Sequence, residues 1–300
     1  MRITDTTYYE AFVRAIGVDL DAFFENIEFS EDQEDLGYRI KASAVYSSNI
    51  EGNSVDLNSF MNATLTKEQF KPGKEVREIQ DLVQAYEFAS THELTEQNLL
   101  RAHQLLSQPL LVKDKRGVYR NDRMGVFDDT GLVYLAIEPE YVGEKMKELF
   151  DDLGNLLHRD LSISALFYHA GLLHLKFVHI HPFWDGNGRS ARLLEKWFLS
   201  TTTNNRAWRI PAEKYYKDHL SDYYASINLG VNYYEPDYSR CLPFFVAAAQ
   251  GSRGIKVRSA TDPSLTKMQF PWTSGGLALG VLCCQRFVLS YALPSGLPAA

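Results

Sequence analysis

The 300-residue chain holds three cysteines, Cys241, Cys283 and Cys284, and the last two are adjacent. That is too few for a disulfide framework and points to a reducing compartment, so a cytoplasmic location is expected. There is no excess of basic charge. Lys and Arg number 31 against 38 Asp and Glu, a net −7, which speaks against a general nucleic-acid face and against DNA as a partner. The first fifteen residues, MRITDTTYYEAFVRA, contain no continuous apolar stretch, so no secretory leader is expected. A long uninterrupted apolar run is also missing. The longest, around 163–180, is broken by His169, His174 and Lys176 and reads as a buried helix rather than a membrane span. No membrane partner is expected, and no internal repeat is visible.

What is present is the composition of a soluble globular protein, 45% apolar and 23% charged,. Most of the chain shows helical periodicity. Val76, Ile79, Leu82, Val83 and Tyr86 recur at three- and four-residue spacing within 73–90,. Thr95 is placed to cap a helix over 94–108, and 140–158 is amphipathic,. The segment 162–177 is apolar nearly all round, as a central helix would be,. Helices are expected at 188–200 and, rich in tyrosine, across 211–249. One segment, 117–142, breaks the pattern with β-rich runs on either side of Asp128, Asp129, Thr130 and Gly131, a hairpin turn,. The expected organisation is a helical region over 1–92, a core over 93–245 and an atypical tail over 246–300. Residues 251–300 carry five basic residues against Asp262, a net +4. Their apolar stretch, interrupted by Gln285 and Arg286, has no clear period and reads as a tail rather than an anchor.

The chemistry concentrates in HPFWDGNGRSAR, residues 181–192. Glycines on both sides of Asn187 let backbone approach a ligand closely. The N–H groups opening the following helix form a natural anion site. Arg189 and Arg192 are three apart and share a helix face, which suits a polyphosphate. Asp185 fits beside phosphates if a divalent cation lies between them, as Mg²⁺ commonly does. His181 suits a general base for an incoming hydroxyl, and Phe183 an apolar pin. The same spacing also fits a polar turn ahead of a helix.

These twelve residues resemble the active-site motif of the Fic-domain family, His-x-Phe-x-Asp/Glu-Gly-Asn-Gly-Arg-x-x-Arg, and every fixed position matches. The resemblance covers about residues 40–245. It implies a mainly α fold, a Fic-type helical bundle with a small β-hairpin flap, and the transfer of AMP from ATP to a hydroxyl side chain of a target protein. It implies His181 as base, Asp185 as the Mg²⁺ contact, Gly186, Asn187 and Gly188 as a phosphate cradle, and Arg189 and Arg192 on the outer phosphates. It also implies that the flap, with Gly131, Leu132, Val133, Tyr134 and Leu135, docks an extended target segment.

SSNIEGN, residues 47–53, closes a helix with Gly52 beyond its end,. A glutamate in a last turn sits against the negative end of the helix and asks for a cation. Ser47 and Glu51 are four apart on one face. Ser-x-x-x-Glu-Gly resembles the family's inhibitory motif, whose glutamate pairs with the second motif arginine, here Arg192, in the class with an N-terminal inhibitory helix. The competing assignment gives Arg192 to Glu195. His169 and His174 read as hydrogen-bonded interior residues, and Lys176 either lines the nucleotide pocket or snorkels to its rim. The sequence leaves two other functions open: a regulatory nucleotide- or DNA-binding module, and transfer of a different phosphate-containing group. A homodimer is left open too.

Overall fold

The computed structural model describes residues 1–25, 32–65, 73–129, 131–250 and 289–292. It is 66% helix and 5% strand, the mainly α architecture that the periodicity predicts. Five helices precede the core: α1 (Tyr9–Ile16), α2 (Leu20–Glu25), α3 (Gln33–Ile50), α4 (Leu57–Leu65) and α5 (Lys74–Thr91). Next come α6 (Glu96–Leu106), the strands β1 (Met124–Asp128) and β2 (Gly131–Leu135), and the helices α7 (Pro139–Leu157), α8 (Ile163–Ile180) and α9 (Asn187–Thr202). Three shorter helices close the fold: α10 (Ala212–Asp218), α11 (Leu220–Ile227) and α12 (Leu242–Gln250).

Helix α8 is the axis of the molecule because nearly every position on it is apolar. It is long and apolar enough to cross a membrane, yet 78% of it is buried inside the fold. Ser162 starts it by accepting the Ala165 N–H,. Gly171 brings α12 close, since a Cβ there would strike the Phe245 ring. Helix α9 packs along α8 and buries Leu193, Leu194, Trp197 and Phe198 in the shared core with Leu173 and Phe177. Each such side chain stabilises the fold by roughly 1.5–3 kcal/mol. The loop between these two helices is therefore held from both ends by buried, mutually packed helices. Helix α3 runs against α5, α9 and α10, so its C-terminus arrives beside that loop.

The hairpin is shorter than the β-rich reading of 117–142. Residues 117–123 form no strand, and Pro139 already opens α7. Proline is favoured in a first helical turn, where its missing N–H costs nothing. Strands β1 and β2 pair antiparallel, Val126 opposite Tyr134, with a β-bulge between Val126 and Phe127. Met124, Tyr134, Ala136 and Trp184 make a second small core under them. A short strand β3 (Leu289–Ala292) pairs antiparallel with the other edge of β1. The rest of 251–300, including the region of Gln285 and Arg286, lies outside the described residues. The tyrosine-rich stretch is also less helical than expected. Between α11 and α12 only Tyr238–Arg240 is helical, as one 3₁₀ turn. There Leu229 accepts the Asp237 N–H, and Val231 and Tyr233 bond to Leu135, so hairpin contacts replace helix.

Candidate active site

His181 ends α8 in the left-handed conformation, φ 52°, with its N–H donating to Phe177 O at 3.0 Å. A non-glycine residue there stores of order 1–3 kcal/mol of strain and needs support. Arg120 provides it. This fully buried guanidinium donates through Nε to His181 O at 2.7 Å and through its other nitrogens to Asp122 O, Ile137 O and Ile180 O. The Arg120 backbone N–H donates to Pro182 O at 2.9 Å. Tyr134 adds a bond from its hydroxyl to His179 O at 2.7 Å, so the hairpin is tied to the end of α8. The His181 ring contacts Val178 O through Nδ1 at 3.3 Å. A carbonyl only accepts, so Nδ1 carries the proton and Nε2 the lone pair. Burial, with the Arg120 charge next, pushes the imidazole pKa down to about 4, which keeps it neutral at pH 7.

Phe183 is the pin. It is wholly buried and stacked on His103, with ring centroids 3.6 Å apart. His103 Nδ1 accepts the Gly117 N–H at 2.9 Å, so its Nε2–H donates to Asp185 O at 3.0 Å. Burial pushes the His103 pKa down to about 4, which preserves that one-proton arrangement. Asn187 opens α9. Its side chain is committed to the loop, accepting the Phe183 N–H at 2.9 Å and donating to Phe183 O at 2.8 Å. Only its backbone N–H can serve an anion.

The start of α9 is the candidate anion cradle. Gly186 is its N-cap at φ 77°, with no side-chain cap, and a Cβ at Gly186 would run into Leu106. The first-turn N–H groups of a helix have no acceptor within it. Arg189, in that first turn, is buried, with Nε unpartnered and Glu78 3.8 Å from a terminal nitrogen. Asp185 accepts the Gly186 N–H at 2.6 Å. Burial raises its carboxyl pKa, Arg189 opposes the shift, and Glu51 and Glu78 add to it.

Arg192 is buried and makes four bonds. Nε donates to Ser47 Oγ at 2.9 Å, one terminal nitrogen donates to Ser47 O at 2.9 Å and Glu51 Oε1 at 2.6 Å, and the other donates to Tyr223 OH at 3.1 Å. Glu51 caps α3, and Gly52 follows it at φ 91°. Burial would raise the Glu51 carboxyl, but Arg192 and Arg189 outweigh it and the net shift is downward. Its Oε1 lies so close over Gly188 that a Cβ there would collide with it. Glu195 does not take Arg192, because its oxygens accept from His174 and Tyr216.

The structure thus gathers Ser47, Glu51, Asp185, Gly188, Arg189 and Arg192 in one place, with His181 at its edge. His169 contacts Ile3 O and His179 contacts Ile227 O, so both are interior residues. Lys176 lies 4.6 Å over the Tyr233 ring, in a different cavity lined by Arg2, Lys145 and Asp152. Among the described residues no three His, Cys, Asp or Glu side chains cluster as a metal site. The sequence reading missed Arg120, His103, Glu78 and Tyr223. Only for Arg120 was there a local sign, an arginine directly ahead of the hairpin with no helical partner in reach.

Residues 93–199 match the family model described as Fic/DOC family. A protein adenylyltransferase Fic of Nematostella vectensis is 32% identical over 163 residues, which is 50% of this chain and 35% of that protein. Protein adenylyltransferase fic-1 of Caenorhabditis briggsae is 28% identical over 235 residues, 72% of this chain and 43% of that protein. The chain therefore spans less than half the length of these curated relatives. Among solved structures, a Fic family protein from Desulfovibrio desulfuricans G20 superposes with a TM-score of 0.64 at 23% identity, covering 84% of this chain and 73% of its own. Fic-1 from C. elegans superposes with a TM-score of 0.57 at 19% identity, covering 83% and 71%. Residues 93–199 thus carry a Fic/DOC domain, with the twelve-residue motif intact between α8 and α9.

Proposed function

We propose that the protein is an adenylyltransferase that moves AMP from ATP to a hydroxyl side chain of a protein, itself included, and that Glu51 restrains it. One observation carries the reading: an uncapped helix start, overlooked by a buried arginine whose Nε has no partner, lies beside a neutral imidazole. A buried guanidinium N–H without an acceptor is costly, and a phosphate oxygen supplies the acceptor that Nε lacks. In the proposed reaction, His181 Nε2 takes the proton of the target hydroxyl. The freed oxygen bonds to the α-phosphorus of ATP, the bond to the β-phosphate oxygen breaks, and pyrophosphate leaves with its charge held by Arg189 and Arg192.

Asp185 is the acid that would hold Mg²⁺. A carboxylate whose pKa is raised by burial, with Glu51 and Glu78 adding to the rise, fits a site that receives a divalent cation, and such an ion would neutralise phosphate oxygens. Glu51 restrains the reaction in this reading because its carboxylate sits over Gly188 and occupies Arg192, both of which the phosphates need. The target docks along the hairpin by strand addition. Within the described residues, Leu135 at the end of β2 is already taken by Val231 and Tyr233, so docking falls toward Gly131–Tyr134. Incubation with α-labelled and γ-labelled ATP in parallel tests the proposal. Label from the α position alone should enter protein. Label from the γ position would make it a phosphate transferase, and binding without incorporation of either would make it a regulatory module.

A further inference from the structure

Behind the cradle lies a row of buried polar groups that the transfer chemistry does not use. Tyr223, on α11, faces Arg192 with its hydroxyl 3.1 Å away. The same hydroxyl lies 3.0 Å from His174 Nε2, on α8. His174 Nδ1 is 2.6 Å from Glu195 Oε2, and the Tyr216 hydroxyl donates to Glu195 Oε1 at 2.8 Å. His174, Tyr223, Glu195, Tyr216 and Arg192 are each at most 2% exposed, so bulk solvent does not reach them.

For a neutral His174, the two ends of this row fix the direction of every proton in it. Arg192 can only donate, so the Tyr223 oxygen accepts from it. The one phenolic proton then goes to His174 Nε2. His174 therefore carries its proton on Nδ1 and gives it to the Glu195 carboxylate, the acceptor-only end. A row with both ends fixed has one arrangement, and low-dielectric burial strengthens each bond in it. Ser47 holds the opposite side of the guanidinium through Oγ and its carbonyl. Three of the four bonds on Arg192 are thus independent of Glu51.

We infer that Tyr223 is a positioning residue, backed by His174 and Glu195, that keeps Arg192 aimed at the nucleotide's phosphates after Glu51 has let go. The inference rests on the proposed ATP-dependent reading of the site. It means that relief of restraint frees one N–H of Arg192, on a nitrogen that still donates to Ser47 O, so the arginine need not be reordered when ATP enters.

The test is a double-mutant cycle on Mg²⁺-ATP affinity, measured by calorimetry in Glu51→Gly protein. Tyr223→Phe keeps the ring and removes the hydroxyl. With Arg192 present it should weaken ATP binding about tenfold, the scale of one hydrogen bond to a charged group. With Arg192→Ala it should change affinity less than twofold. Equal losses in both backgrounds would reduce Tyr223 to packing, and no loss with Arg192 present would also overturn the inference. A second measurement needs no change at Tyr223. In ligand-free Glu51→Gly protein the Arg192 side-chain N–H signals should stay protected from solvent exchange in NMR, and rapid exchange would overturn the inference. If the cycle holds while no AMP is transferred, the transferase reading fails and the role of Tyr223 stands.

Discussion

Replacing Glu51 by glycine should raise transfer, against the usual direction of substitutions. The carboxylate now lies over Gly188, where the start of α9 would receive a phosphate oxygen, and it takes one of the four bonds of Arg192. A carboxylate and a phosphate cannot share that position, so in the proposed reaction ATP bound beside Glu51 would be displaced on the scale of an ångström. Such a displacement costs on the order of 10²-fold in rate, and that is the gain expected on removal. Stability should fall modestly, by about 1.5–3 kcal/mol for one charge-assisted bond, because Ser47 and Tyr223 still hold the guanidinium. Self-modification read by mass spectrometry is the assay, with parent, Glu51→Gly, Arg192→Ala and the double variant side by side. The gain should vanish when Arg192 is absent. A Glu51→Gly protein no more active than its parent, under Mg²⁺ and ATP, would falsify the restraint and leave Glu51 a helix-end residue paired for stability.

Acid should not mimic that substitution. The folded Glu51 pKa is depressed, so the stability of its ion pair is present above the ordinary glutamate value and is lost only as pH falls through the lower folded value; parent activity at pH 5 relative to pH 7 should show no release, and a jump there would contradict the pairing. His181→Ala should lower transfer by about 10²–10⁴, the range for a lost general base, with ATP affinity unchanged in calorimetry; incorporation near the parent level would remove His181 from its role. Gly186→Ala should lose activity and thermal stability together, because a Cβ meets Leu106 and φ is 77°; an unchanged melting temperature would argue against the loop geometry. Shortening the hairpin tip should weaken protein modification more than ATP binding, and equal losses would indicate general damage instead of docking.

Much of the site was readable from sequence because its key residues are local. His181, Asp185, Gly186, Arg189 and Arg192 sit within one helix end, one loop and one helix start, and rules for caps, glycines and helix faces act over that range. Glu51 was readable for a similar reason, as a negative charge at the wrong end of a helix. Helices α5 and α7 followed from apolar periodicity, α6 from its Thr95 cap and α8 from being apolar nearly all round, all of which act along a single element. Periodicity failed between α11 and α12, where Leu135 on β2 draws Val231 and Tyr233 into hydrogen bonds that no local pattern records.

What tertiary structure alone decided is which polar groups satisfy one another. Arg120 is 61 residues from the carbonyl of His181 that it holds, and His103 is 82 residues from that of Asp185. Arg192 could have taken Glu195, three residues away on the same helix; the fold gives Glu195 to His174 and Tyr216, and gives Arg192 to α3 and Tyr223. Sequence names the donors and acceptors and limits where helices begin and end. It does not set the distances among helices, and buried charges pair by distance, because in a low-dielectric interior a polar atom without a partner in hydrogen-bond reach is costly.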